Sequence, residues 1–243
     1  MPNDGPSAVD ARLAAYRVIG TPRQKVDAVA KVTGALRFAD DLVLPRMLHC
    51  VLLRSSLPHA RIVRIDTSRA AALPGVVDVL TGEALPISFG ILPITQDEHA
   101  LCIERVRFVG DPVAAVAALD EDTARAACDL IDVEYDALPA IGSIEDALAT
   151  PEPQIHDYAD DGNVHKRVAL DFGGVDDAMR AAAVVREDVF FYEGNTHLPM
   201  EQHAALAEWS ADGRLTLWTS TQTPHYVHRA VRRCSRWIRR TSA

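Results

Sequence analysis

The stretch that most constrains this chain runs over residues 105–140, RVRFVGDPVAAVAALDEDTARAACDLIDVEYDALPA. Residues 106–109 and 113–119 are apolar runs of strand length, rich in β-branched side chains. Between them, Gly110 tolerates positive φ, Asp111 can bond its own backbone, and Pro112 fixes φ and removes a donor, so the break is a turn. Asp120, Glu121, Asp122 and Thr123 then place acids and a capping oxygen where a helix N-terminus needs them. Ala124, Ala127, Cys128 and Ile131 recur at helical spacing. Residues 133–135 predict another short strand, and Leu138-Pro139 closes the unit. The expectation is a helix turning an alanine-rich side to a sheet.

The whole chain has 243 residues, enough for one large or two smaller domains. Its 48% hydrophobic content suits a sizeable buried core. A net charge of −9 argues against a surface made for nucleic acid or acidic lipid. Cys50, Cys102, Cys128 and Cys234 stand apart, without the spacing of zinc or iron–sulfur ligands. They read as small buried hydrophobes in a reducing compartment. The first residues lack the basic start and apolar run of a signal peptide, and no stretch is apolar for long enough to span a bilayer. The predicted location is the cytoplasm.

Residues 1–17 read as a leader and 18–142 as a first domain of alternating strands and helices. Its early strands are predicted at 47–54, 61–66 and 76–81, with a short helix from Ser68, capped by that serine and ended by Pro74-Gly75. Residues 143–166, with Pro151, Pro153 and Gly162, read as an aperiodic linker, where protease should cut first if the two halves behave independently. A second domain follows over 167–230, with a helix within 171–183. Strands are expected at 184–192, 204–209 and 215–220, the last two joined by a hairpin turn at 211–214. The half from 184 to 222 should be the less stable, prone to association through unpaired strand edges.

Several motifs carry a family likeness. Asp27-Ala28-Val29-Ala30-Lys31-Val32-Thr33-Gly34 is followed by Phe38-Ala39-Asp40-Asp41. Arg54-Ser55-Ser56-Leu57-Pro58-His59-Ala60, Ile65-Asp66-Thr67-Ser68 and Gly75-Val76-Val77-Asp78-Val79-Leu80-Thr81 come next, before the 105–140 unit. In this order they resemble the molybdenum-cofactor subunits of the xanthine dehydrogenase and aldehyde oxidase family. Phe89-Gly90-Ile91-Leu92-Pro93 with Gln96-Asp97-Glu98 is most similar to the branch of the 4-hydroxybenzoyl-CoA reductase large subunit. The likeness runs from about Val18 to Arg229. It implies a mixed α+β or α/β fold: an a/b hammerhead domain followed by the incomplete start of a molybdenum-cofactor-binding domain.

The resemblance also implies an activity. Such a subunit is a molybdopterin-dependent oxidoreductase that hydroxylates a heterocycle or an aldehyde, or reductively removes a hydroxyl from an aromatic CoA thioester. Iron–sulfur clusters and FAD sit on partner subunits or domains. In the family, the glutamine of a Ser-Thr-Gln motif approaches the molybdenum centre, and Gln222 of Ser220-Thr221-Gln222 matches it. An amide suits that place because it donates a hydrogen bond without adding charge; the plainer reading is a residue that caps the next helix. The glycine-rich cofactor loop and catalytic glutamate are expected beyond residue 243. The chain therefore holds no catalytic residue of the family and is predicted to be inactive by itself. The alternative is a noncatalytic module that docks onto partner subunits.

Other residues invite and fail chemical readings. His197, Glu201 and His203 lie close in sequence, but their spacing departs from H-E-x-x-H and Pro199 spoils a helix, so a pocket-shaping role is expected and a protein-ligated metal is not. Asp171-Phe172-Gly173 has no accompanying kinase motif. Ser55, Ser56 and Ser220 lack a nucleophile-elbow setting. The acid pairs Asp40-Asp41, Asp160-Asp161 and Asp176-Asp177 read as turns or helix starts, and His59 as structural. From Arg229 onward there are six arginines and no acid, leaving 19 basic and 34 acidic residues elsewhere. Val227, Val231, Cys234 and Ile238 recur at helical spacing there, a pattern also seen in membrane-surface and polyanion-binding helices. The reading taken is that residues 231–243 depart from the family through truncation or a shifted frame.

Overall fold

The computed structural model describes residue 16 and residues 18–90, 95–158 and 161–241, with side chains as far as Cys234. The rest of the expected leader, residues 91–93 of the branch motif and Asp160 lie outside the described residues. In chain order the elements are α1 (Ala28–Val32), β1 (His49–Arg54), β2 (Ala60–Asp66), α2 (Ser68–Ala71), β3 (Val76–Thr81), β4 (Ser88–Phe89), β5 (Glu98–His99) and β6 (Arg105–Val106). They continue with β7 (Pro112–Ala118), α3 (Glu121–Cys128), β8 (Asp132–Ala137), α4 (Ile144–Ala149), α5 (Val175–Ala181), β9 (Ala205–Trp209), β10 (Leu215–Thr219) and α6 (Pro224–Thr241). Contacts group them into two units, one of Leu44–His197 with the residues from Gln222 onward, the other of Leu198–Thr221 with the residues up to Val43.

In the larger unit two three-stranded antiparallel sheets are ordered β1-β7-β3 and β6-β2-β8. β7 is central to the first, pairing His49 with Ala118 on one side and Val79 with Val116 on the other. Ala114, Val116 and Ala118 of β7 are fully buried against Ala124, Ala127 and Cys128 of α3. Val113, one residue earlier and so on the opposite face, belongs to a second buried cluster with Ala60, Cys102 and Val106. Burying a valine side chain stabilises by roughly 1.5–3 kcal/mol, so β7 anchors both clusters.

The local chemistry follows the sequence closely here. Asp120 caps α3 by accepting the Thr123 N–H at 2.7 Å, with Glu121 and Asp122 in the first turn. Gly110 takes φ +97°, a left-handed geometry open to glycine. The Asp111 carboxylate accepts the Arg107 N–H at 2.9 Å, and Ser55 N–H donates to the Asp111 carbonyl at 2.9 Å. The turn at 110–112 is thus stitched to the Arg54-Ser55 motif. The strand expected at 106–109 is shorter, because that stitching ends β6 at Val106. Ser68 does not cap α2: it is the first helical residue, Thr67 holds the capping position, and the Asp66 carboxylate accepts the Ser68 N–H at 3.0 Å.

The segment expected to be a loose linker is held down. Ser143 caps α4, accepting the Asp146 N–H at 3.0 Å. Arg105 donates to the Gln154 carbonyl at 2.8 Å and meets Asp157 at 3.3 Å, while Arg107 donates to the Ile155 carbonyl at 2.8 Å. Asn163 closes the loop by accepting the Ile155 N–H and donating to the Thr150 carbonyl. By contrast, every residue from 165 to 203 is exposed. The strand expected at 184–192 is an irregular run with no ladder, and Val189, Phe190 and Phe191 are about nine-tenths exposed. A strand exists only with a partner, and among the described residues none pairs with it.

In the smaller unit β9 and β10 form an antiparallel hairpin, with Leu215 opposite Trp209 and the turn at 211–214 as expected. Asp41 accepts the Phe38 N–H at 2.8 Å in a short 3-10 turn, Ala39–Asp41, so that acid pair is structural. No described helix is long and apolar enough to cross a membrane.

Two outcomes test this packing. Ala127→Leu should lower stability by about 1–3 kcal/mol through overpacking, read as a lower urea midpoint with an unchanged slope. Thermolysin should cleave first within residues 166–203 and later within 151–158, the reverse of the order expected from composition; mass spectrometry of early fragments decides.

Candidate functional site

Gln222 sits where β10 hands over to α6. The hairpin end is closed by Ser220, whose hydroxyl accepts the Ala204 N–H at 2.8 Å. The Thr223 carbonyl then accepts the N–H groups of Tyr226 at 3.0 Å and Val227 at 3.2 Å, and Pro224 occupies the first helical position, where its missing N–H costs nothing. Thr223 therefore opens the helix, and Gln222 does not cap it. The Gln222 side chain is exposed and makes no hydrogen bond within the described residues. It is an available neutral donor one residue before the cap of α6.

Next to that turn lies a cavity of about 480 Å³, lined by Thr223, Tyr226, Val227, Arg229, Ala230 and Arg233 of α6 and its cap, with Phe89, Gly90 and Gln96 opposite. A larger cavity of about 650 Å³ lies around β5 and the 103–112 segment. Its walls include Asp97, Glu98, Glu104, Asp111 and Asp157, against Arg105 and Arg107. His156 reaches Asp97 across it at 2.6 Å. Partial burial pushes the Asp97 carboxyl up, but hydrogen bonding and charge from His156, its own backbone N–H and Arg107 together hold it below the usual carboxylate value. The Cys102 thiol is pushed up to about 12 by burial, then by the Asp111 hydrogen bond and charge. Such a thiol is an inert packing group.

The remaining candidates scatter. Among the described residues no three His, Cys, Asp or Glu side chains gather to hold a metal ion, and His197, Glu201 and His203 lie on irregular chain without a helix. His59 is buried, its Nδ1 donating to the Pro139 carbonyl at 3.0 Å, because a carbonyl can only accept. Its Nε2 has no partner among the described residues. It ties the chain just past β8 to the turn after Ser55. Cys102 and Cys128 are buried as expected, but Cys50 is exposed at the β1 edge and Cys234 half-buried. Sequence reasoning missed the Asp97–His156 pair and the cavity beside Gln222. The only signal for the latter was Tyr226, Arg229, Ala230 and Arg233 recurring at three- and four-residue steps.

Comparison with known proteins matches the domain model "aldehyde oxidase and xanthine dehydrogenase, a/b hammerhead domain" to residues 33–139, and the molybdopterin cofactor-binding domain to residues 155–238. The second match runs past Arg229, where the sequence reading ended the likeness. The nicotinate dehydrogenase large molybdopterin subunit of Eubacterium barkeri is 40% identical over 213 residues, 87% of this chain and 49% of that one. The xanthine dehydrogenase molybdenum-binding subunit of Escherichia coli O157:H7 is 37% identical over 217 residues, 85% of this chain and 28% of that one. The crystal structure of quinoline 2-oxidoreductase from Pseudomonas putida 86 superposes with a TM-score of 0.75 at 35% identity, covering 89% of this chain and 28% of that one. The chain thus spans half or less of the length of these relatives.

The Asp97 pair gives a pH test. A lowered carboxyl pKa stabilises fully above the ordinary value of 3.8 and is lost as pH falls through the lowered one. Amide exchange in residues 154–158 should therefore accelerate below about pH 4, and Asp97→Asn should show the faster exchange already at neutral pH.

Proposed function

The chain belongs to the aldehyde oxidase and xanthine dehydrogenase family, and from that premise we propose that it forms the hammerhead and first cofactor-facing portion of a molybdopterin-dependent oxidoreductase large subunit. The observation that carries this is the cofactor-domain match over residues 155–238, which encloses the β10–α6 turn bearing Gln222. Bound there, molybdopterin with its molybdenum supplies the two-electron redox chemistry. This chain's share is to orient: the Gln222 amide, exposed and without a partner among the described residues, can donate to the cofactor without adding charge or competing as a ligand. Thr223 opens the helix that follows it, its carbonyl accepting the Tyr226 and Val227 N–H groups.

Hydroxylation of a nitrogen heterocycle or an aldehyde is the reading best supported, since relatives named for nicotinate, xanthine and quinoline all align over most of the chain. Reductive dehydroxylation of an aromatic CoA thioester rests on the likeness over Phe89 to Glu98 alone. Electrons would leave through iron–sulfur and FAD partners, a role supported by the lack of cluster-spaced cysteines here. A cytoplasmic site of action suits the unpaired cysteines. Docking without catalysis is the competing role, favoured by the uninterrupted exposure of residues 165–203.

Two measurements test the cofactor role. In a molybdenum-loaded full-length enzyme carrying this sequence, Gln222→Ala should lower activity or molybdenum retention roughly 10–100-fold, the usual cost of removing such a supporting contact. The chain by itself should hold far less than one molybdenum per polypeptide, and fusion to the remaining portion of a relative's large subunit should restore it; metal analysis of both decides, and stoichiometric metal on the chain alone overturns the proposed division of the site.

A further inference from the structure

The cavity beside Gln222 differs in charge from the chain as a whole and from the larger cavity. The chain carries a net −9, and the larger cavity is lined by five carboxylates. Yet none of the nine described residues lining the smaller one is acidic, and two are arginines. Eight other arginines among the described residues pair with a carboxylate. Among those same residues Arg229 and Arg233 meet none. They stand one helical turn apart on α6, so both reach the same wall. Arg229 is already ordered, its guanidinium lying 4.5 Å from the centre of the Tyr226 ring.

The other walls select the rest of a ligand. Phe89, Val227 and Ala230 are apolar, and Gln96 and Thr223 add uncharged polar groups. Gly90 keeps the loop close, since a Cβ there would stand 2.5 Å from the Thr95 carbonyl oxygen. A volume of about 480 Å³ falls within the range of small-molecule sites. Guanidinium forks match the two oxygens of a carboxylate, while a bare inorganic anion would leave the phenyl and aliphatic walls unused. We propose that this cavity is a binding site for a planar aromatic carboxylate, with Arg229 and Arg233 holding the carboxylate and Phe89 covering the ring. The assignment uses neither Gln222 nor molybdenum, so it stands or falls separately from the cofactor role.

Calorimetric titration of the chain with benzoate and with nicotinate tests it, with benzamide and inorganic phosphate as comparators. Both carboxylates should bind once per chain, at least about tenfold tighter than benzamide or phosphate. Arg229→Ala with Arg233→Ala should weaken both carboxylates about tenfold or more. Phe89→Ala should weaken benzoate and leave phosphate unchanged. Arg232→Ala, which removes an arginine that does not line the cavity, should change neither. The proposal fails if benzoate does not bind, if phosphate or benzamide binds as tightly as benzoate, or if Arg232→Ala costs as much as the double substitution.

Discussion

Five alanines, Ala70, Ala114, Ala118, Ala124 and Ala127, lie with no exposed surface where α2 and α3 meet the sheet β1-β7-β3. Methyl groups in these places let helix backbone lie close to strand backbone, so the contact is set by shape more than by large side chains. The rest hangs on that close approach. It fixes β7 at the centre of its sheet. It leaves Val113, on the other face, to gather Ala60, Cys102 and Val106. It also sets the turn at 110–112, which engages Ser55 and through Arg107 the segment after α4.

Within residues 105–140 the fold was legible because its signals are local: Asp120 caps its own helix, Gly110 takes its own positive φ, and the alanines face one way by period alone. Where the reading failed, the cause lay elsewhere in the chain. Residues 184–192 have the composition of a strand, but a strand needs a neighbour's backbone, which composition does not report. The segment after α4 looked loose because its partners, Arg105 and Arg107, bond to main-chain carbonyls that every residue possesses. Ser68 lost the capping place to Thr67 because Asp66 took the Ser68 N–H, a choice among three adjacent polar side chains.

The candidate site divides in the same way. Family likeness singled out Gln222, and nothing in its spacing would have done so. Its exposure next to Thr223, whose carbonyl opens α6, gives that likeness a physical setting. The cationic cavity alongside owes its character to one face of α6 and to a loop more than a hundred residues earlier in the sequence. That juxtaposition joins a neutral donor to an anion-selective wall on neighbouring turns, an arrangement suited to a site that must distinguish ligands by charge.

The pairing of His49 with Ala118 has a consequence for biosynthesis. The two residues are separated by 69 positions, and at about 5–20 residues per second β1 leaves the ribosome roughly 3–14 seconds before the strand that completes its ladder. During that wait Val51 and Leu53 have neither partner strand nor α3 to cover them. The nascent chain must carry β1 unshielded until Ala118 has been translated, so the timing of translation bears directly on the yield of folded molecules.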